Sequence, residues 1–162
     1  MNDLLDKISS YHIFNYLLPG ILFVIIAEKF AHHSLIQNNL IVGAFVYYFI
    51  GLVISRFGSL AIEPILKKIK FIKFVGYADF VLASKNDSKI DIFSEINNMY
   101  RTFSSMFILI LLLKLYEFVA LKFSISGEWS IYILITSLLI MFLWSYRKQT
   151  EYITKRIKAR NK

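Results

Sequence analysis

Four long stretches of this chain carry no Asp, Glu, Lys or Arg, and they constrain the fold more than anything else in it. They run from Ile8 to Ala27, Phe30 to Ser55, Thr102 to Leu113 and Trp129 to Tyr146. A helix needs about 20 mostly apolar residues to cross the hydrocarbon of a bilayer. The first, second and fourth stretches reach about that length. The third continues apolar past Lys114 and Glu117 to Leu121. The expected spans are therefore 13–31, 40–62, 102–121 and 130–146, and the expected fold is an all-α bundle of four transmembrane helices. Composition closes off the soluble alternative. The chain is 57% hydrophobic and 19% charged over 162 residues, and a domain of this size has too little interior to hide such an apolar excess. Absence of Cys excludes disulfide scaffolds and thiolate metal sites.

Lys and Arg set the expected orientation. With four spans, both termini and the middle segment share one side. That side holds 16 of the 19 basic residues, and the other holds Lys29 and Lys122, with Lys114 inside a span. The reading is a multi-pass membrane protein with both termini cytoplasmic. Asp3 and Asp6 flank Lys7, and Ala27-Glu28-Lys29 is a poor cleavage site, so the first apolar stretch reads as a retained span and not as a signal peptide.

Residues 63–101 and 147–162 are expected to form a helical cytoplasmic extension. No Gly or Pro interrupts 89–122 or 129–162, so spans three and four are each expected as one long helix reaching well beyond the hydrocarbon. Ser88 and Asp91 have the spacing of a capping box at the start of the first of these. Glu63-Pro64 suits a helix start. The following run ILKKIKFIKFV reads as a basic amphipathic helix on an anionic inner leaflet, with Lys67, Lys68, Lys70 and Lys73 as the lipid contacts. Their place beside a span favours lipid over nucleic acid. Pro19-Gly20 marks either a kink in span one or its true start after a short interfacial helix bearing Leu4, Leu5 and Ile8.

Few residues invite chemistry. Lys114 and Glu117 share a helix face inside span three, as a path-lining or inter-subunit pair or as groups reaching the outer interface. Arg56 and Glu63 lie seven apart on one helix face near the cytoplasmic end of span two, either bonding each other through a neighbouring chain or marking where the lipid headgroups begin. Gly43, Gly51 and Gly58 form a small-residue stripe suited to close helix packing, within a subunit or between subunits. Asn97, Asn98 and Arg101 cluster where the third helix meets the membrane and are candidates for binding a partner. Adjacent His32 and His33 read as ordinary loop residues. No phosphate loop, HExxH or GxSxG motif and no paired catalytic carboxylates occur. A non-enzymatic protein with no cofactor and no metal is expected.

FNYLLPG at 14–20, RFGSLAIEP at 56–64 and NNMYRT at 97–102, in this in–out–in–out–in layout, resemble the small four-span membrane proteins of bacterial anti-phage defence systems, Kiwa membrane subunits among them. The resemblance covers the general architecture along the whole chain and carries no functional residue over. It implies an oligomeric membrane subunit that senses or executes a response with a cytosolic protein partner, and the small bundle with its glycine stripe leads to the expectation of a homo-oligomer. A passive anchor or scaffold for a cytosolic complex and a small channel or transporter are the alternatives.

Overall fold

The computed structural model describes residues 11–30 and 35–160. The expected interfacial segment before Tyr11 and the His32-His33 pair lie outside the described residues. Five helices account for nearly all of the rest: α1 Ile13–Phe30, α2 Leu40–Lys68, α3 Tyr77–Asn86, α4 Lys89–Lys122 and α5 Gly127–Arg160. Four of them, α1, α2, α4 and α5, are long and apolar enough to cross a membrane. The all-α four-span bundle is thus present, with α4 and α5 as unbroken 34-residue helices.

Local chemistry sets the helix ends. Asn39 starts α2 by accepting the backbone N–H groups of Ile41 and Val42 at 2.9 and 3.1 Å, which supplies two donors that a first helical turn leaves unpaired. α4 starts differently from expectation. Ser88 makes no side-chain cap bond; the Asp87 carboxylate accepts from Lys89 N–H at 2.9 Å instead. The expected amphipathic helix from 63 to 75 is also shorter than its pattern suggested. It stops at Lys68, because Lys70 adopts a left-handed conformation (φ 62°). Lys70 N–H then bonds the Lys67 carbonyl and Phe71 N–H the Leu66 carbonyl, the bonding pattern of a helix-closing Schellman turn.

Two π-helical segments interrupt the α geometry: Ile13–Leu17 in α1 and Gly58–Ile62 in α2. Each ends two residues before one of the chain's two prolines, Pro19 and Pro64. The cause is shared. Proline has no N–H to give the carbonyl four residues back, and its ring presses on that carbonyl. In both segments the residue before the proline bonds five residues back, Leu18 to Ile13 and Glu63 to Gly58. The widened turn makes room for the ring while the helix continues. The helix therefore runs on through Pro19 without a break.

Three helices make the core. α1 and α2 run antiparallel with their backbones in contact. A Cβ on Gly20 would collide with the Tyr47 carbonyl, and one on Gly51 would collide with the Tyr16 carbonyl. α4 packs beside them through small and hydroxylated residues. Thr102 and Ser105 are wholly buried, and a Cβ on Gly58 would collide with the Ser105 hydroxyl. Hydroxyls are tolerated there because each has a partner. Thr102 donates to the Asn98 carbonyl at 2.9 Å and Ser105 to the Arg101 carbonyl at 2.7 Å. Such small-residue seams are how helices approach in lipid, where apolar burial gives no net drive.

Candidate functional site

Glu63 is the centre of the most elaborate polar arrangement in the molecule. Its side chain is 8% exposed. Lys67 bonds one carboxylate oxygen at 2.8 Å and Arg101 the other at 2.8 Å. Lys148 stands 3.9 Å away and donates to the Ser59 carbonyl at 2.6 Å and the Ser59 hydroxyl at 2.7 Å. One carboxylate thus faces three cations from α2, α4 and α5. Charge-assisted bonds of this kind offset the cost of taking the groups out of water. They also make the acid hard to replace, since its loss leaves like charges facing each other.

Backbone geometry is part of the site. Ser59 lies in the second π segment and Glu63 closes it. Gly58, at its start, lets α4 come close enough for Arg101 to reach. The Arg101 Nε is buried with no hydrogen-bond partner among the described residues, so the guanidinium is held by its outer nitrogen alone. Next to this junction, around the first π segment, lies a ring cluster. Tyr11, Tyr16 and Tyr48 meet edge to face, and the Tyr48 hydroxyl is 2.7 Å from His12 Nδ1. Asn15 is buried inside that segment, and its Oδ1 has no hydrogen-bond partner among the described residues. A cavity of about 190 Å³ lies between Phe14, Asn15, Ile92, Glu95, Ile96 and Met99. Among the described residues no group of three His, Asp or Glu side chains is placed to hold a metal ion.

The candidates named from sequence fall in different places. Arg101 joins the Glu63 junction. Asn97 is exposed, and Asn98 contributes its carbonyl to Thr102. Arg56 takes no part in Glu63's hydrogen bonds; the π segment between them changes the register that put both on one face. Gly51 and Gly58 pack against α1 and α4 of the same chain, and Gly43 meets the Tyr47 ring and Gln37. Lys67 belongs to the junction, while Lys68, Lys70 and Lys73 are exposed. Lys114 and Glu117 pair at 2.9 Å at the opposite end of the bundle, where Lys114 also donates to the Phe30 carbonyl at 2.8 Å. Lys114 thereby satisfies a carbonyl left over at the last residue of α1.

Sequence reasoning missed Lys148 and Ser59 as partners and Gly20 as a packing glycine. Lys148 follows an apolar span and reads there as an interface marker; its partner lies 89 residues away. No protein-family model, curated protein or solved structure matches the chain.

Proposed function

We propose that this chain is a non-enzymatic, oligomeric subunit of the bacterial inner membrane. It acts as sensor or effector with a cytosolic protein partner in anti-phage defence, with 63–101 and 147–162 in the cytoplasm. The Glu63 junction is the observation that supports this reading. Three helices leave the bundle at one buried carboxylate. A partner that shifts the overhang of α4 or α5 by one turn separates Arg101 or Lys148 from it, and the spans feel the change directly. Such a bistable ionic contact is what a signal across a helix bundle requires. The oligomeric part rests on α5, where no residue of the most apolar 18-residue window is fully buried within the chain.

The test uses cells carrying the gene with its native neighbours, challenged with a phage panel and a potential-sensitive dye. Wild type should lower plating efficiency and change membrane potential on infection. Glu63→Gln, inserted at normal level, should do neither. A wild type that protects against no phage rules out the defence role.

A passive anchor is the second reading. The favouring observation is a cleft of about 290 Å³ between α3 and the end of α5, lined by Tyr77, Tyr152 and Arg156, a surface beyond the expected spans that a partner fits without any signal. Full protection by Glu63→Gln selects this reading.

A further inference from the structure

The segment between α2 and α3 exposes an unusual amount of apolar surface. Ile69, Phe71, Phe74 and Val75 are 63, 76, 53 and 70% exposed. Exposed lysines 68, 70 and 73 alternate with them. In water such a stretch would be a liability.

Its position gives it a use. α2 is one continuous helix through the expected span and on to Lys68. At about 1.5 Å per residue, Leu66 sits about 6 Å beyond Ile62, the expected end of the span. The headgroup layer of a bilayer is about 5–7 Å deep on each side. The Schellman turn keeps the chain at that depth. Phe71 and Ile72 N–H both reach back to the Leu66 carbonyl, at 2.9 and 3.4 Å. The Phe74 ring lies under the Lys67 ammonium, 4.2 Å from its centroid. Rings at 71 and 74 are thus held at the level of Leu66 and Lys67, while Lys68, Lys70 and Lys73 stand exposed beside them.

We propose that residues 69–75 form a wedge that docks into the anionic leaflet at the basic end of the bundle, with Phe71 and Phe74 entering the acyl boundary and Lys68, Lys70 and Lys73 binding lipid phosphates. Continuity with a span selects the bilayer as the occupant, and the interleaved lysines select anionic lipid. The wedge is a turn and not the amphipathic helix that its sequence pattern suggests. The inference rests on membrane residence alone and does not depend on the signalling role proposed above.

The test places a single Trp in the wedge. Phe71→Trp is made in the full-length chain with Trp129→Phe and Trp144→Phe, and reconstituted in vesicles of anionic or zwitterionic lipid. In anionic vesicles the emission should be blue-shifted and quenched by lipids brominated near the headgroup. Adding Lys68→Gln, Lys70→Gln and Lys73→Gln should remove most of that quenching. Lys67 is left in place because it bonds Glu63. Emission at the wavelength of exposed indole, open to aqueous iodide in every vesicle, overturns the proposal. Blue-shifted emission that no brominated lipid quenches also overturns it, since protein then covers the wedge. Equal quenching in zwitterionic lipid and in the lysine variant overturns the choice of anionic lipid.

Discussion

α1 and α5 are both apolar helices long enough to cross a membrane, yet they are held in opposite ways. In α1, 33% of the most apolar stretch is buried, and in α5 0% of it is. α1 meets α2 at backbone level through Gly20 and Gly51. α5 meets the rest at separate points. Phe142 stacks on Phe49 at 6.1 Å, Ser130 accepts from the Tyr116 hydroxyl at 2.6 Å, Lys148 bonds Ser59, and Tyr152 meets Tyr77. Hydropathy does not distinguish the two helices, because it reports transfer into lipid and lipid is as apolar as a neighbouring helix. What distinguishes them is where small residues let backbones touch. A helix whose small residues make no such contact is free to face lipid or another copy, and its link to the rest is a few separate side-chain contacts.

The largest expected effect is at the point where the two regimes meet. Glu63→Leu leaves Lys67, Arg101 and Lys148 without their carboxylate, and should cost about 3 kcal/mol or more by the usual penalty for breaking a buried ion pair. The check is unfolding by denaturant in mild detergent. Next comes the α1–α2 contact. Gly51→Ala sets a methyl group against the Tyr16 backbone, which cannot swing aside, and should cost about 2–3 kcal/mol. Gly127→Ala, which meets nothing within 4 Å at the start of α5, should stay within about 0.5 kcal/mol in the same titration. A similar loss at both glycines would erase the contrast between the helices. A smaller effect belongs to the α2–α4 seam. Thr102→Val exchanges a wholly buried hydroxyl for a methyl and gives up the bond to Asn98, at a cost of about 1 kcal/mol. A cost near that of Gly51→Ala would mean that hydroxyl bonding, and not close backbone approach, holds the core.

The four spans were legible because the bilayer imposes length and polarity on every crossing segment. The 89–122 helix could be read from the KNDS break before it and the lack of Gly and Pro through it, and the end of α2 could not. KKIKFIKFV keeps a helical period after Lys68, while the left-handed Lys70 that stops the helix has no sequence mark, since Gly or Asn is the usual residue there. The junction was half visible. Glu63 and Arg101 were each singled out, but not with each other. Seven-residue arithmetic placed Glu63 and Arg56 on one face by assuming one pitch throughout, and the turn widened before Pro64 breaks that assumption. Arg101 and Lys148 come from 38 and 85 positions further along the chain, and only the packing of α4 and α5 brings them in. Gly20 looked like part of a kink beside Pro19; its use as the floor of a helix contact depends on Tyr47 of the facing helix.

The central claim is that α5 is fastened to a close-packed three-helix core through Lys148 at the Glu63 junction. The natural lack of Cys makes spin labelling direct. One label pair, Ile25→Cys with Phe45→Cys, spans α1 and α2; another, Phe45→Cys with Leu139→Cys, spans α2 and α5. All three sites are exposed. Pulsed electron spin resonance in nanodiscs then gives both distance distributions with Lys148 intact and with Lys148→Met. The account predicts that Lys148→Met broadens or shifts the α2–α5 distribution and leaves the α1–α2 distribution unchanged. An α2–α5 distribution that does not respond, or an α1–α2 distribution that moves with it, would contradict the claim.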